Sequence, residues 1–205
     1  MIQERTPSFS LMQAVKRRFF AMRNGDLAAQ MAKGGITYRI NFGLNLPQIS
    51  DIARAALSGA LPDNSHVPDD DERRALARLL WENTTTRESR LIAPMLLTPA
   101  DLDADGALAM LAGTGTTEEA DVLCHKLLRN HPDAAKIAAA LATAPESTDI
   151  QRYAALRLMM NLLACGKADI SATGAAASAE SSRGCRLTAP LCRQITTEID
   201  FLTEK

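Results

Sequence analysis

Nucleophiles and metal ligands are few in this chain, with four cysteines and three histidines among 205 residues. Cys124, Cys165, Cys185 and Cys192 show no C-x-x-C spacing and no histidine pattern beside them, so no metal site is expected and the thiols are read as reduced. Cys124 and His125 are adjacent, and neighbours on a helix point about 100° apart, which suits a small buried thiol next to a surface imidazole. His66 and His131 lie in loop-like sequence with no evident catalytic partner. What remains is charge. Glu118, Glu119 and Asp121 in "TEEADVLC", Thr117 to Cys124, crowd a helix start, where acids are favoured by the dipole and by unpaired backbone donors. Lys16, Arg17, Arg18, Arg23, Lys33 and Arg39 gather near the front, and contact with nucleic-acid phosphates needs only positive charge and reach. Because Lys16, Arg17 and Arg18 are consecutive they cannot all face one groove, so solvated helix faces are an equal reading.

The net charge of −1 hides an uneven distribution. Residues 1 to 54 carry eight Lys/Arg against three Asp/Glu, residues 55 to 125 five against thirteen, and residues 126 to 205 ten against eight. The front is basic and the middle acidic, an arrangement that permits a polyanion partner without requiring one. No apolar run reaches the roughly 18 residues of a membrane span, and the start "MIQERTPSFS" lacks the basic-then-apolar order of a signal peptide. A cytosolic, cytoplasmic protein without membrane contact is expected.

The elements that must position these residues read as helices throughout. Alanine and leucine are abundant, aromatics make up 4%, and β-branched residues seldom alternate, which predicts an all-α chain. "SLMQAVKRRFFAMRNGDLAAQMAKGG" gives two helical pieces divided near Asn24-Gly25. Pro47 sits where a first helical turn tolerates proline, ahead of Ile49, Ile52, Ala53 and Ala56 at helical spacing. Thr98 is a candidate cap with Pro99 behind it, and Thr85 with Glu88 is a candidate capping box. Further starts lie in "TTEEADVLCHKLL", "HPDAAKIAAALA" and "STDIQRYAALRLMMNLL". Residues 166–188 have the small, polar composition of a flexible linker, before a last helix at 189–204. Short amphipathic helices with tight turns suit a curved stack of antiparallel helix pairs, a HEAT-like repeat superhelix forming one domain over 1–205. A compact bundle uses the same signals, since no strict internal period is found. The expected core is Leu76, Leu79, Leu80, Ile92, Met95, Leu96, Leu108, Leu111, Leu123, Leu127, Ile137, Leu141, Leu156, Met159 and Leu163.

Two segments carry a resemblance. "LLWENTTTRESRLIAPMLL", Leu79 to Leu97, holds the only tryptophan, Trp81, followed by Arg87 and Glu88. Upstream, "FGLNLPQISDIAR", Phe42 to Arg54, places Gly43 and Pro47 four apart. In this order, between a basic front and later helices, the two resemble the "G-(I/V)-x-x-P" and "LW…RE" elements of the DNA alkylation repair family, the AlkD-like glycosylases of HEAT-like helix pairs. The likeness covers most of residues 10 to 165. It implies structural roles for Gly43, Pro47, Trp81, Arg87 and Glu88, with the indole packing across a helix joint.

The resemblance also implies a chemistry, excision of N3- or N7-alkylated purines from duplex DNA held by its phosphates, with no cofactor. The cationic base leaves readily, and a carboxylate stabilises the developing sugar cation. Asp121 falls on that carboxylate's position, while Ala120 stands where the family has a tryptophan and Cys124 where it has a second aspartate. In "DIQRYAALR", Ile150 stands at a tryptophan position and Tyr153 at an arginine position, with Arg152 one residue earlier as the candidate replacement. Asp121 as an ordinary helix-start acid stays open beside this. Three functions follow: a glycosylase with a degenerate motif, a catalytically inactive binder of DNA structures, and a scaffold for a protein partner.

Overall fold

The computed structural model describes residues 7–204, so the first six residues of the start "MIQERTPSFS", part of the leader-segment expectation, lie outside the described residues. The described chain is all-helical, with only two isolated bridges, Ile40 to Thr86 and Leu61 to Asn64, in place of strands. No helix among the described residues is long and apolar enough to cross a membrane. The chain divides into two compact units, Met1–Thr98 and Pro99–Lys205, where one domain is expected from the sequence.

The first unit contains α1 (Pro7–Ala21), α2 (Gly25–Lys33), α3 (Leu46–Ser58), α4 (Asp70–Trp81) and α5 (Arg87–Ile92), followed by a 3-10 turn at Ala93–Met95. Asn24 caps α2 by accepting from Leu27 N at 3.0 Å. Asn45 and Gln48 form a reciprocal capping box that starts α3, with Pro47 in the first turn where its missing N–H costs nothing. Asp69 and Glu72 do the same for α4. α1 packs on α3 and α4, and α5 on α3 and α4. Their shared core is Leu11, Val15 and Phe19 of α1, Ile49 and Ile52 of α3, Leu76 and Leu80 of α4, and Leu91 and Ile92.

The second unit starts with a 3-10 turn at Pro99–Asp101, so the Thr98-Pro99 signal yields a turn, and Asp103 caps α6 (Ala104–Ala112) through Gly106 N at 2.7 Å. It continues with α7 (Thr117–Lys126), α8 (Ala134–Thr143), α9 (Asp149–Ala164), α10 (Ile170–Arg183) and α11 (Ala189–Thr203). α9 is the organising helix, packed against α6, α7, α8, α10 and α11. A helix with so many neighbours must be apolar over most of its surface, and α9 buries Ala154, Ala155, Leu156, Leu158, Met159, Leu162 and Leu163, together with Arg152 and Tyr153. Of the expected core, all but the half-buried Leu79, Met95 and Leu108 are buried.

The linker expectation for 166–188 needs correction, because fourteen of these residues form α10. Alanine and serine weaken an amphipathic signal without opposing a helix. Asp169 supplies the cap through Ala172 N, Gly184 ends the helix in the left-handed region, and Thr173, Ala177 and Glu180 are buried.

Candidate functional site

The two segments that carry the resemblance meet in the first unit. Residues 40–44 run alongside the start of α5: Ile40 N donates to Thr85 O at 2.9 Å, and Arg87 N to Ile40 O at 3.0 Å. Glu88, fully buried, does not close a capping box with Thr85. Its Oε2 accepts from Phe42 N at 3.1 Å and its Oε1 from Leu44 N at 3.3 Å, while the Thr85 hydroxyl turns to Asn83. Arg87, 1% exposed, donates from Nη1 to Leu44 O at 2.8 Å and to Glu88 Oε1 at 3.1 Å. Glycine is required at 43, where φ is +71° and a Cβ would lie 2.1 Å from Asn24 O. Trp81 is half-buried at the end of α4, and the Arg90 guanidinium lies 3.5 Å from its ring centroid and donates to the Trp81 carbonyl. This is a clasp between two helix joints, with the charges turned inward.

In the second unit Asp121 has a different setting. Thr116 caps α7, and Glu118 and Glu119 occupy its first turn, with Glu119 buried and accepting from Gly115 N at 2.8 Å. Asp121 lies beyond that turn, so the helix-start explanation does not extend to it. Its Oδ1 accepts from the Tyr153 hydroxyl at 2.9 Å and from Arg157 Nε at 2.6 Å, while Arg157 Nη2 donates to the Tyr153 oxygen at 3.0 Å. Asp121 Oδ2 takes neither bond. The Asp121 side chain is 43% exposed and that of Arg157 26%. The triad is therefore a carboxylate fixed through one oxygen at a half-open surface.

Electrostatics within the triad follow from this geometry. Partial burial works against the Arg157 cation, but the Tyr153 hydroxyl and the Asp121 charge outweigh it and raise the guanidinium's pKa above its ordinary value. Burial also raises the Tyr153 phenol, with the Asp121 charge adding to the effect. Cys124 lies beneath, its Sγ 3.5 Å from Ala154 O; burial, reinforced by Asp121, pushes its thiol far up, so it is a protonated core side chain. His125 faces outward, its pKa lowered by desolvation and then by the Arg129 and Lys126 cations.

Arg152, the candidate replacement for the family's arginine, does not join Asp121. It is 8% exposed and turns toward α10, with Nη2 2.8 Å from Asp149 Oδ1, Nε 3.4 Å from Glu180 Oε2 and Nη1 donating to the Ser147 carbonyl. The hydrogen bond from Arg152 Nη2, with a second involving Cys185, holds the Asp149 carboxyl below its usual range. Glu180 also accepts from the Thr188 hydroxyl at 2.8 Å, so the cluster ties α9, α10 and the start of α11 together. The arginine beside Asp121 is Arg157, not Arg152. Its signal in sequence is a single cation four residues after Tyr153 inside the otherwise apolar run "YAALRLMM", a position that demands a counter-charge. The partner, 36 residues away, is not readable from local pattern. Ala120 is fully buried and Ile150 half-buried, so neither tryptophan position presents an aromatic wall.

The basic residues do not form one group. Lys16, Arg17 and Phe20 share a face of α1, Arg23 lies over the Phe20 ring, and Arg17 pairs with Asp63 at 3.0 Å. Arg18 is half-buried, and Lys33 and Arg39 are exposed at the end of α2 and in the following loop. His131 is buried, accepting from Asp133 N at Nδ1 and facing the Leu102 carbonyl through Nε2 at 3.1 Å, a tether that needs no catalytic partner. No protein-family model matches the chain, and comparison with curated proteins and with solved structures likewise gave no match.

Proposed function

We propose that this chain is a DNA-binding protein of the alkylation-repair type, built of HEAT-like helix pairs, that slowly excises N3- or N7-alkylated purines. The reading is supported above all by Asp121, whose carboxylate is oriented through Oδ1 by Tyr153 and Arg157 while Oδ2 remains unengaged by either. An alkylated purine already carries positive charge, so its glycosidic electrons pass to the base with little acid catalysis. The cation left on the sugar is stabilised by Oδ2, and water then adds and gives up a proton. Lys16, Arg17, Arg18, Arg23, Lys33 and Arg39 supply phosphate contacts, and no cofactor enters.

Slow turnover follows from two features. Arg157 offsets part of the Asp121 charge, and the positions of Ala120 and Ile150 offer no ring to hold a cationic base. The same two features favour the second reading, a catalytically inactive DNA binder. Titration of duplex DNA at two salt concentrations, followed by release of 7-methylguanine by wild type and Asp121→Asn, separates the readings. Salt-sensitive binding with slow release that the substitution abolishes is the expected result. Release unchanged by Asp121→Asn removes Asp121 from the chemistry, binding without any release leaves the inactive binder, and no binding at low salt leaves the protein scaffold.

A further inference from the structure

α1 places two adjacent phenylalanines in opposite environments. Phe19 is fully buried in the first unit's core, whereas Phe20 is 57% exposed. A phenylalanine ring left in water forgoes the gain of burial, so the surroundings of such a ring bear on its use. Gln13, Lys16, Arg17 and Phe20 follow the i, i+3, i+4, i+7 spacing of one helix face and line an open depression of about 670 Å³. Arg23, one turn further on, lies 4.0 Å from the Phe20 centroid and donates to the Phe20 carbonyl at 3.0 Å, so its guanidinium is pinned on the ring. The ring is thus bordered by three cations.

Arg17 of this face pairs with Asp63 at 3.0 Å, and both side chains are more than half exposed. Such a pair is held weakly in water and yields to a phosphate. An exposed ring flanked by cations within one helix face matches a strand whose bases are unstacked: the ring accepts a base, and the cations meet the phosphates on either side. A duplex offers phosphates but keeps its bases stacked inside, which leaves Phe20 without a partner.

We propose that the Gln13–Arg23 face of α1 is a stacking site for an unpaired base, directing the protein to single-stranded or gapped DNA. The proposal rests on the DNA-binding reading and deepens it, since the phosphate contacts are shared and the preference belongs to Phe20 alone. Lys16 and Arg17 set the salt dependence, and Phe20 sets the discrimination between unpaired and paired DNA.

The test is fluorescence anisotropy with a labelled thymidine oligonucleotide, an intact duplex and a duplex carrying a short gap, using wild type, Phe20→Ala, Phe20→Trp and the double variant Lys16→Ala/Arg17→Ala. Wild type should bind the single strand and the gapped duplex more tightly than the intact duplex. Phe20→Ala should weaken the first two about tenfold, within the range of one lost base stack, and leave the intact duplex within about twofold, while Phe20→Trp retains the preference. The double variant should weaken all three. Since the ring is exposed, circular dichroism of Phe20→Ala should match wild type. Equal affinity of wild type and Phe20→Ala for the single strand overturns the stacking site and leaves the DNA-binding reading standing, and so does an equal loss on all three probes. No binding to any probe at low salt overturns both.

Discussion

The two units each contain an arginine–carboxylate pair joined at about hydrogen-bond distance, and the pairs are built for different ends. Arg87 and Glu88 are 1% and 0% exposed; Glu88 receives two backbone N–H groups besides the guanidinium, and Arg87 also serves a carbonyl. Asp121 and Arg157 are 43% and 26% exposed, and the contacts to Asp121 converge on one oxygen. A buried charge is tolerated only when its lone pairs and protons are met, so saturation marks the first pair as structure. The second pair keeps an oxygen in reserve next to solvent. Charge alone does not separate the two; the count of satisfied atoms does.

The largest effect is expected where saturation is lost. Glu88→Ala removes the fully buried carboxylate beside the Arg87 cation and leaves two backbone donors unpaired, and should lower unfolding free energy in urea by about 3–5 kcal/mol. Asp121→Ala, at a pair open to water, should cost no more than about 1 kcal/mol. Equal costs for the two substitutions would erase the distinction drawn between the pairs.

A smaller loss sharpens the same contrast from the backbone side. Gly43→Ala forces a left-handed φ of +71° on alanine and drives its Cβ against Asn24 O and Ala28 N. The expected cost is about 1–3 kcal/mol. Gly43 and Glu88 act on the same 42–44 segment, so Glu88→Ala should cost less in the Gly43→Ala background than alone. Strict additivity would mean that the segment is held by something other than the clasp.

These expectations show how much of the molecule was legible beforehand. Helix class, the α3, α7 and α9 starts and most of the core follow from spacing and capping residues, because those signals act within one or two turns. The Gly43–Pro47 and Arg87–Glu88 segments stand out in the sequence, but that Glu88 reaches Phe42 and Leu44 does not, since that contact spans more than forty residues. The same reason hid the partnership of Arg157 and Asp121 and favoured Arg152, whose buried contacts belong to α10, a helix concealed by its alanine and serine content. Local pattern fixes elements; long-range pairing decides which charges are spent on folding.

The half-open pair has a pH signature, expected as the smallest of these effects. Burial, followed by the Asp121 charge, raises the Tyr153 phenol above its ordinary value near 10. A group whose pKa is higher in the folded than in the unfolded chain contributes stability that is complete below the unfolded value and disappears as pH rises through the folded one. Wild type should therefore lose urea resistance above pH ~10, and Tyr153→Phe should flatten that decline while leaving stability at neutral pH nearly unchanged. Cys124, also raised by burial, contributes equally in both variants and cancels from the difference. The phenylalanine variant keeps the ring and removes only the hydroxyl that Asp121 and Arg157 share. If the two proteins decline in parallel above pH ~10, the Tyr153 proton is not held by the triad, and the orientation of Asp121 rests on Arg157 alone.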